Sequence, residues 1–349
     1  LIPIFGLMMI GDGSILDGLS TLTTENPDKF KSMGGPADPV PFYTIFTGMM
    51  LVQLFYWGTN QQIIQRALGA KDLKEGQKGL LLASFIKILG PLIVVLPGII
   101  AFHLFQGNLE SADSAYPMLV KKVLPGAWVG FFAAVLFGAI LSSFNSVLNS
   151  SVTLFGIDVY KEHINKNANE KTIVKYGKIF GVILAIASMF IAPLIANAGS
   201  LFDYLQEING IYSIPILTII VVGYLTKRVP AIAAKIGLVS GCLLYMISQF
   251  FMKDYFINKA LETAKATGVT DKAALTIVEV HAYPHFLDVM AILFILNIVI
   301  MLIIGKIKPR EEPFVQQYTK QVDITPWKYV KHAGIAICVI VIGVYVYFA

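Results

Sequence analysis

Long uncharged apolar runs, separated by short polar segments, repeat from one end of the chain to the other. A membrane-crossing helix needs roughly 20 predominantly apolar residues. The pattern predicts eight complete spans, at 42–65, 79–105, 127–157, 175–197, 201–225, 231–252, 285–305 and 332–349. The opening LIPIFGLMMIG has no basic n-region and reads as the second half of a further span, not as a signal peptide. With no initiator methionine, the chain is expected to be the C-terminal part of a longer protein. The connections 11–41, 106–126, 158–174, 253–284 and 306–331 are polar enough for water. Two stretches within them, DGLSTLTTENPDKFKSM and FINKALETAKATG, are predicted to form short surface helices. The predicted class is an all-α polytopic membrane protein.

Composition agrees. Of 349 residues, 56% are hydrophobic and 14% charged, against about 25% charged in soluble chains. A soluble enzyme, a secreted module, a coiled coil and a disordered regulator are excluded. Cys242 and Cys338 lie in apolar runs, without the spacing of a disulfide framework or metal cluster. Of the five histidines only His281 and His285 are close, and Pro284 between them argues against a helical metal pair.

Charge placement gives the orientation. Segments 66–78, 158–178, 226–236 and 305–331 hold 4, 5, 3 and 6 lysines and arginines. The alternating segments 9–41, 106–126, 197–201 and 253–285 hold 2, 2, 0 and 4. Basic loops stay in the cytoplasm. The 11–41 loop and the C-terminus are therefore expected outside.

Polar residues inside the spans are costly and mark cavities or partners. Lys87 stands about eight residues into its predicted span, deep enough to make snorkelling awkward. It is expected to face a cavity; snorkelling or a helix ion pair is the alternative. In the 127–157 span, Ser142, Ser146, Asn149 and Thr153 recur on one side, flanked by Ser143, Asn145 and Ser150. Such a stripe serves close helix packing, and its hydroxyls, three residues beyond Ala139, also suit a hard cation such as Na+. Two spans look broken, at YWGTNQQ (56–62) and DYLQEINGIYSIP (203–215), where Gly58, Gly210 and Pro215 release the helical backbone. Discontinuous helices at membrane depth bind ions and substrates in secondary transporters; the alternative is a kinked helix filled by amide hydrogen bonds. Tyr56 and Trp57 with Gln53, Asn60, Lys87 and Gln206 would suit a sugar, rings stacking on its apolar face and polar groups meeting its hydroxyls, if their helices meet.

The strings FYWGTNQQIIQRALGAKDLKEGQKG, SFIKILGPLIVVLPGI, AYPMLVKKVLP, AILSSFNSVLNSSVTLFGIDVYKE and FDYLQEI, in this order, resemble the sodium/solute symporter family, most closely its sodium–glucose and sodium–galactose cotransporter branch. The resemblance runs from about residue 40 to 225 and more weakly through the last three spans. It implies a leucine-transporter-like inverted-repeat fold, of which this chain holds the second repeat plus peripheral helices. Residues 1–10 would end core helix 5, 11–41 would be an external loop, 42–225 core helices 6–10, and 226–349 peripheral helices 11–13. It also implies roles. Ala139, through its carbonyl, and Ser142 and Ser143, through their hydroxyls, match sodium ligands. Tyr56 matches the inner gate that stacks on the sugar, with Trp57 beside it. Lys87 and Gln206 match sugar-hydroxyl ligands. Gln53 stands where a bacterial member has Asn, keeping the amide but adding a methylene, and Asn209 stands where relatives have Thr.

The reading that follows is a sodium-coupled symporter importing a glucose- or galactose-like sugar across the cell's plasma membrane. Its partners are the sugar, Na+ as coupling ion and the lipid bilayer, with no nucleic acid. Within the class, inositol or a carboxylate is the alternative solute. A membrane enzyme is disfavoured, because the spans carry no paired carboxylates, nucleophile–base pair or metal triad. Asp203 and Glu207 are expected to cap or solvate the second broken helix. A transporter-fold sensor or channel would be told by a soluble signalling domain, and none is present in these residues.

Overall fold

The computed structural model describes residues 1–349 except 36, 37, 39, 107, 110, 196–200 and 317–321, and except the side chains of 112, 202, 203 and 273. The predicted boundary at 197–201 and the side chain of Asp203 thus lie outside or at the edge of the described residues. Regular structure among them is helical throughout. The first helices are α1 (Ile2–Ile10), α2 (Ile15–Glu25), α3 (Gly48–Gly58), α4 (Gln61–Leu68) and α5 (Leu73–Lys87). Next come α6 (Gly90–Phe105), α7 (Ala115–Val123), α8 (Gly126–Leu154), α9 (Glu170–Ile195) and α10 (Leu201–Leu225). The last are α11 (Ala231–Ile247), α12 (Lys253–Ala266), α13 (Lys272–Ala282), α14 (Phe286–Ile307) and α15 (Val330–Tyr347).

Seven stretches among the described residues are long and apolar enough to cross a membrane: Leu73–Phe105, Gly126–Ile164, Glu170–Ile195, Tyr204–Leu225, Ala231–Ala266, Ala274–Ile307 and Val330–Tyr347. They coincide with seven of the eight spans expected from the hydropathy pattern. The eighth, 42–65, is the one expected to be broken at 56–62. It is a 3-10 turn (Phe42–Phe46) followed by α3 and α4, and neither helix reaches a span's length alone. The two surface helices expected in polar connections are present as α2 and α12. Large apolar side chains are exposed along the long helices, as on α9, where Ile179, Val182, Ile186 and Phe190 are all exposed. That is the surface of an integral multi-pass membrane protein, whose solvent is hydrocarbon.

The chain folds as two units, Leu1–Ser32 with Gln65–Leu201 and Ile324–Ala349, and Met33–Ile64 with Phe202–Asp323. In the first, Ile2, Leu7, Leu22, Ile100, Leu119 and Val123 bury a core shared by α1, α2, α6 and α7. Helix α8 continues through a π-helical stretch, Phe155–Ile164, and packs on α9. Gly177 and Gly181 admit the Val152 side chain, and Phe155 stacks on Phe180 at 4.1 Å.

In the second unit Leu51, Val52 and Phe55 of α3 join Ile214 and Leu217 of α10, Tyr245 of α11, and Leu287 and Met290 of α14. Small residues let these helices approach closely, the usual solution where lipid is as apolar as the side chains. A Cβ on Gly48 would overlap the Leu287 backbone, and one on Gly241 would come within 2.7 Å of Pro215 Cγ. Gly48→Ala is expected to cost about 1–3 kcal/mol, because backbone cannot yield as a side-chain tip can. Gly58→Ala adds a Cβ with no heavy atom within 4 Å and should not lower stability. Thermal unfolding of the full-length protein in detergent compares them; equal midpoints would remove the close-packing account.

Candidate functional site

The break expected at 56–62 is present. Helix α3 stops at Gly58, and three donors converge on the Phe55 carbonyl: Thr59 N at 2.9 Å, Asn60 N at 3.0 Å and Thr59 Oγ1 at 2.8 Å. Asn60 then opens α4, its Oδ1 accepting from Gln62 N at 3.0 Å. Asn60 was expected to bind solute; here its side chain caps the half-helix, satisfying a donor that the break exposes.

Gln53, Tyr56 and Trp57 form one cluster on the last turns of α3. Trp57 Nε1 donates to Gln53 Oε1 at 2.9 Å, and Gln53 Nε2 lies 3.6 Å from Met49 Sδ. The Tyr56 ring meets Trp57 edge-on, centroids 5.2 Å apart. The indole is thus tied down by the amide, and the half-buried Tyr56 is held by the indole. Helix α10 packs beside α3 through Phe55 and Tyr212, whose rings lie 5.9 Å apart edge to face. It carries the half-buried Gln206 and Asn209.

The second expected break is absent. Helix α10 runs unbroken from Leu201 to Leu225 with Pro215 inside it. Gly210 is buried where a Cβ would strike Met290 and Tyr245, so it is a packing glycine, not a hinge. The Pro215 ring fits against Gly241, so neighbouring helices hold the backbone where proline removes one hydrogen bond. Glu207, read as a solvated or capping carboxylate, instead pairs with Lys253 at 2.6 Å, both partly buried. Sequence reasoning had no signal for this pair, whose members are 46 positions apart.

Lys87, Ala139, Ser142 and Ser143 belong to the first unit. Lys87 lies inside the single crossing stretch Leu73–Phe105, as the hydropathy run suggested, beside a short turn in it. It ends α5, and Ile88 and Leu89 turn through bonds to Phe85 and Ile86 carbonyls before α6 begins. The cause is Pro91 in the first turn of α6, which has no N–H to offer the Lys87 carbonyl four residues back and whose ring would clash with it in a continuous helix. The Gly90-Pro91 pair was the overlooked signal.

On α8 the hydroxyls divide sharply. Ser146, Ser150, Ser151 and Thr153 each donate to the carbonyl four residues back, at 3.0, 3.0, 3.0 and 2.8 Å. Among the described residues, neither Ser142 nor Ser143 spends its hydroxyl this way, and Ala139, Ser142 and Ser143 are all exposed. Those two are the hydroxyls expected to hold sodium. A groove of about 580 Å³ opens beside Ser142, which lines it with Asn145, Ser146 and Asn149 of α8 and with Gln65 and Arg66 of α4. In it Arg66 donates from its terminal guanidinium nitrogen to Ser146 Oγ, a contact that no spacing rule predicts.

Comparison with known proteins bears on this arrangement. The model of the sodium:solute symporter family matches residues 1–241. The Uncharacterized symporter YidK of Escherichia coli (strain K12) is 45% identical over 346 residues, 99% of this chain and 56% of the relative. The sodium/glucose cotransporter of Vibrio parahaemolyticus is 34% identical over 274 residues, 72% of this chain and 50% of the relative. The human sodium/myo-inositol cotransporter 2 is 32% identical over 226 residues, 60% of this chain and 33% of the relative. The chain spans about half the length, or less, of these relatives.

Proposed function

Because the chain belongs to the sodium:solute symporter family, we propose that the whole protein is a Na+-coupled importer of a glucose- or galactose-like sugar, working by alternating access. The observation that carries this reading is the helix break after Tyr56, with an aromatic pair and an amide fixed at its edge. A broken helix at membrane depth offers free backbone groups and a re-aimed side chain to a polar solute. An aromatic face beside amide donors fits a pyranose ring, apolar on its faces and polar on its rim. Tyr56 stacks on the ring; Gln53, Gln206 and Asn209 meet its hydroxyls; Trp57 and Asn60 hold the frame; Lys87 is assigned to the sugar by the family resemblance alone. Na+ binds at Ala139, Ser142 and Ser143, where hydroxyls uncommitted to the helix supply the oxygen ligands that a hard cation needs. The bias of basic residues toward alternate loops supports an orientation with the C-terminus outside, and residence in the plasma membrane belongs to the same proposal.

A second solute has support of its own. One relative is a myo-inositol cotransporter, and Gln53 reaches further than a shorter amide would. Uptake of labelled glucose, galactose and myo-inositol into proteoliposomes holding the full-length protein separates the cases. An inward Na+ gradient should raise glucose or galactose uptake at least about tenfold over a choline gradient, in keeping with the loss of an essential coupling ligand. Equal uptake in choline would end the sodium reading. Competition by myo-inositol alone would transfer the proposal to the cyclitol.

A further inference from the structure

The groove on α8 contains a cation that the proposed transport reaction does not use. Arg66 carries a guanidinium cation. Among the described residues no carboxylate pairs with it. Its guanidinium donates to Ser146 Oγ, and that hydroxyl in turn donates to the Ser142 carbonyl at 3.0 Å. The charge therefore stands one hydroxyl away from the main chain of a residue assigned to sodium, in a groove that Ser142 also lines.

We propose that Arg66 is a sodium-release gate: docked on Ser146, its guanidinium repels Na+ from the Ser142–Ser143 ligands and lowers their affinity on the side where the ion must leave. The proposal rests on the sodium assignment made above and deepens it. A second positive charge in the same groove is the most direct way to weaken a cation site without altering its ligands. Binding is reciprocal. An ion at Ser142 and Ser143 disfavours the docked arginine, and a docked arginine disfavours the ion. Arg66 follows Tyr56 by ten positions, across the helix break and along α4. Movement of α4 during solute release would thus also move the charge that governs sodium release. Ser146 supplies the dock, which gives the stripe on α8 a purpose beyond packing.

The test uses the full-length protein in proteoliposomes and in detergent, with sodium binding read by 22Na+ at equilibrium and sugar binding measured in parallel. Arg66→Gln keeps a hydrogen-bond donor and removes the charge. It should lower the sodium dissociation constant about tenfold, equivalent to about 1.4 kcal/mol, while slowing net uptake because release is slower. Arg66→Lys keeps the charge and should stay within about twofold of wild type, since charge and not fork geometry sets the repulsion. Ser146→Ala removes the dock and should shift the constant in the same direction as Arg66→Gln, but by less. A sodium constant unchanged or raised in Arg66→Gln overturns the proposal, and so does Arg66→Lys behaving like Arg66→Gln. Loss of sodium and sugar affinity together would make Arg66 a structural residue and would also overturn it. Wild-type protein that binds no sodium refutes the underlying assignment instead, which a flat Arg66 series in sodium-binding protein does not.

Discussion

Tyr56→Ala in the full-length protein is expected to weaken sugar binding about thirtyfold, and Tyr56→Phe by no more than about fivefold. The ring stands at the last turn of α3, two residues before the helix stops at Gly58. It is pre-set by its edge-on contact with Trp57, which is itself tied to Gln53. A ring already held in place loses little entropy on binding, so its contact energy appears in the affinity. Covering about 40 Å² of sugar and ring apolar surface contributes about 1 kcal/mol. Stacking adds about 1 kcal/mol by analogy with aromatic pairs. Their sum, about 2 kcal/mol, is about thirtyfold in Kd. Phenylalanine keeps both terms and loses one hydroxyl hydrogen bond, about 1 kcal/mol. Isothermal titration of purified protein at saturating Na+ reads both variants. If alanine binds within threefold of wild type, or phenylalanine binds as poorly as alanine, Tyr56 is not a stacking gate.

What could be read from sequence, and what could not, follows from the range of the forces involved. Spans such as 285–305 are legible because hydrocarbon imposes a length and an apolar character on every residue in the run, whatever its neighbours. The break at Gly58 is legible because it is local: an aromatic pair, a glycine and four polar residues cannot continue a lipid-facing helix unaided. The same logic fails at 203–215. Gly210 and Pro215 present the same local signal, but Met290, Tyr245 and Gly241 answer it from elsewhere in the chain, and α10 stays continuous. At Lys87 the depth in the span was legible, but a hydropathy average smooths over Gly90-Pro91 and hides the short turn between α5 and α6 inside the stretch Leu73–Phe105. The candidate sodium residues were named from a motif. That their hydroxyls, unlike those of Ser146, Ser150, Ser151 and Thr153, do not bond back into α8 depends on side-chain rotamers, which sequence spacing does not carry. The Arg66–Ser146 contact joins residues 80 positions apart and needs tertiary structure to be found at all.

That division among hydroxyls sets the second large expectation. Ser143→Ala should raise the sodium constant for transport about fiftyfold, and Ser151→Ala should leave it within about twofold. A hydroxyl that donates to a carbonyl four residues back, as at Ser151, has its orientation fixed along the helix, and removing it leaves the carbonyl with its regular backbone donor. Its loss is a local matter of a few tenths of a kcal/mol. A hydroxyl with no such bond can turn its lone pairs on an ion, and a contact to a full charge contributes about 1.5–3 kcal/mol. Removing one ligand leaves Na+ short of a protein oxygen at the site. A loss near 2.3 kcal/mol is about fiftyfold. Ser146→Ala lies on the same stripe, yet its effect should be small and of opposite sign, because it frees the arginine that opposes the ion. Initial rates of sugar uptake across a sodium series, at fixed sugar and constant ionic strength, order the three variants. Were Ser143→Ala and Ser151→Ala to give the same sodium constant, the free hydroxyl at 143 would be packing, and the ion would have to bind elsewhere in the full-length protein.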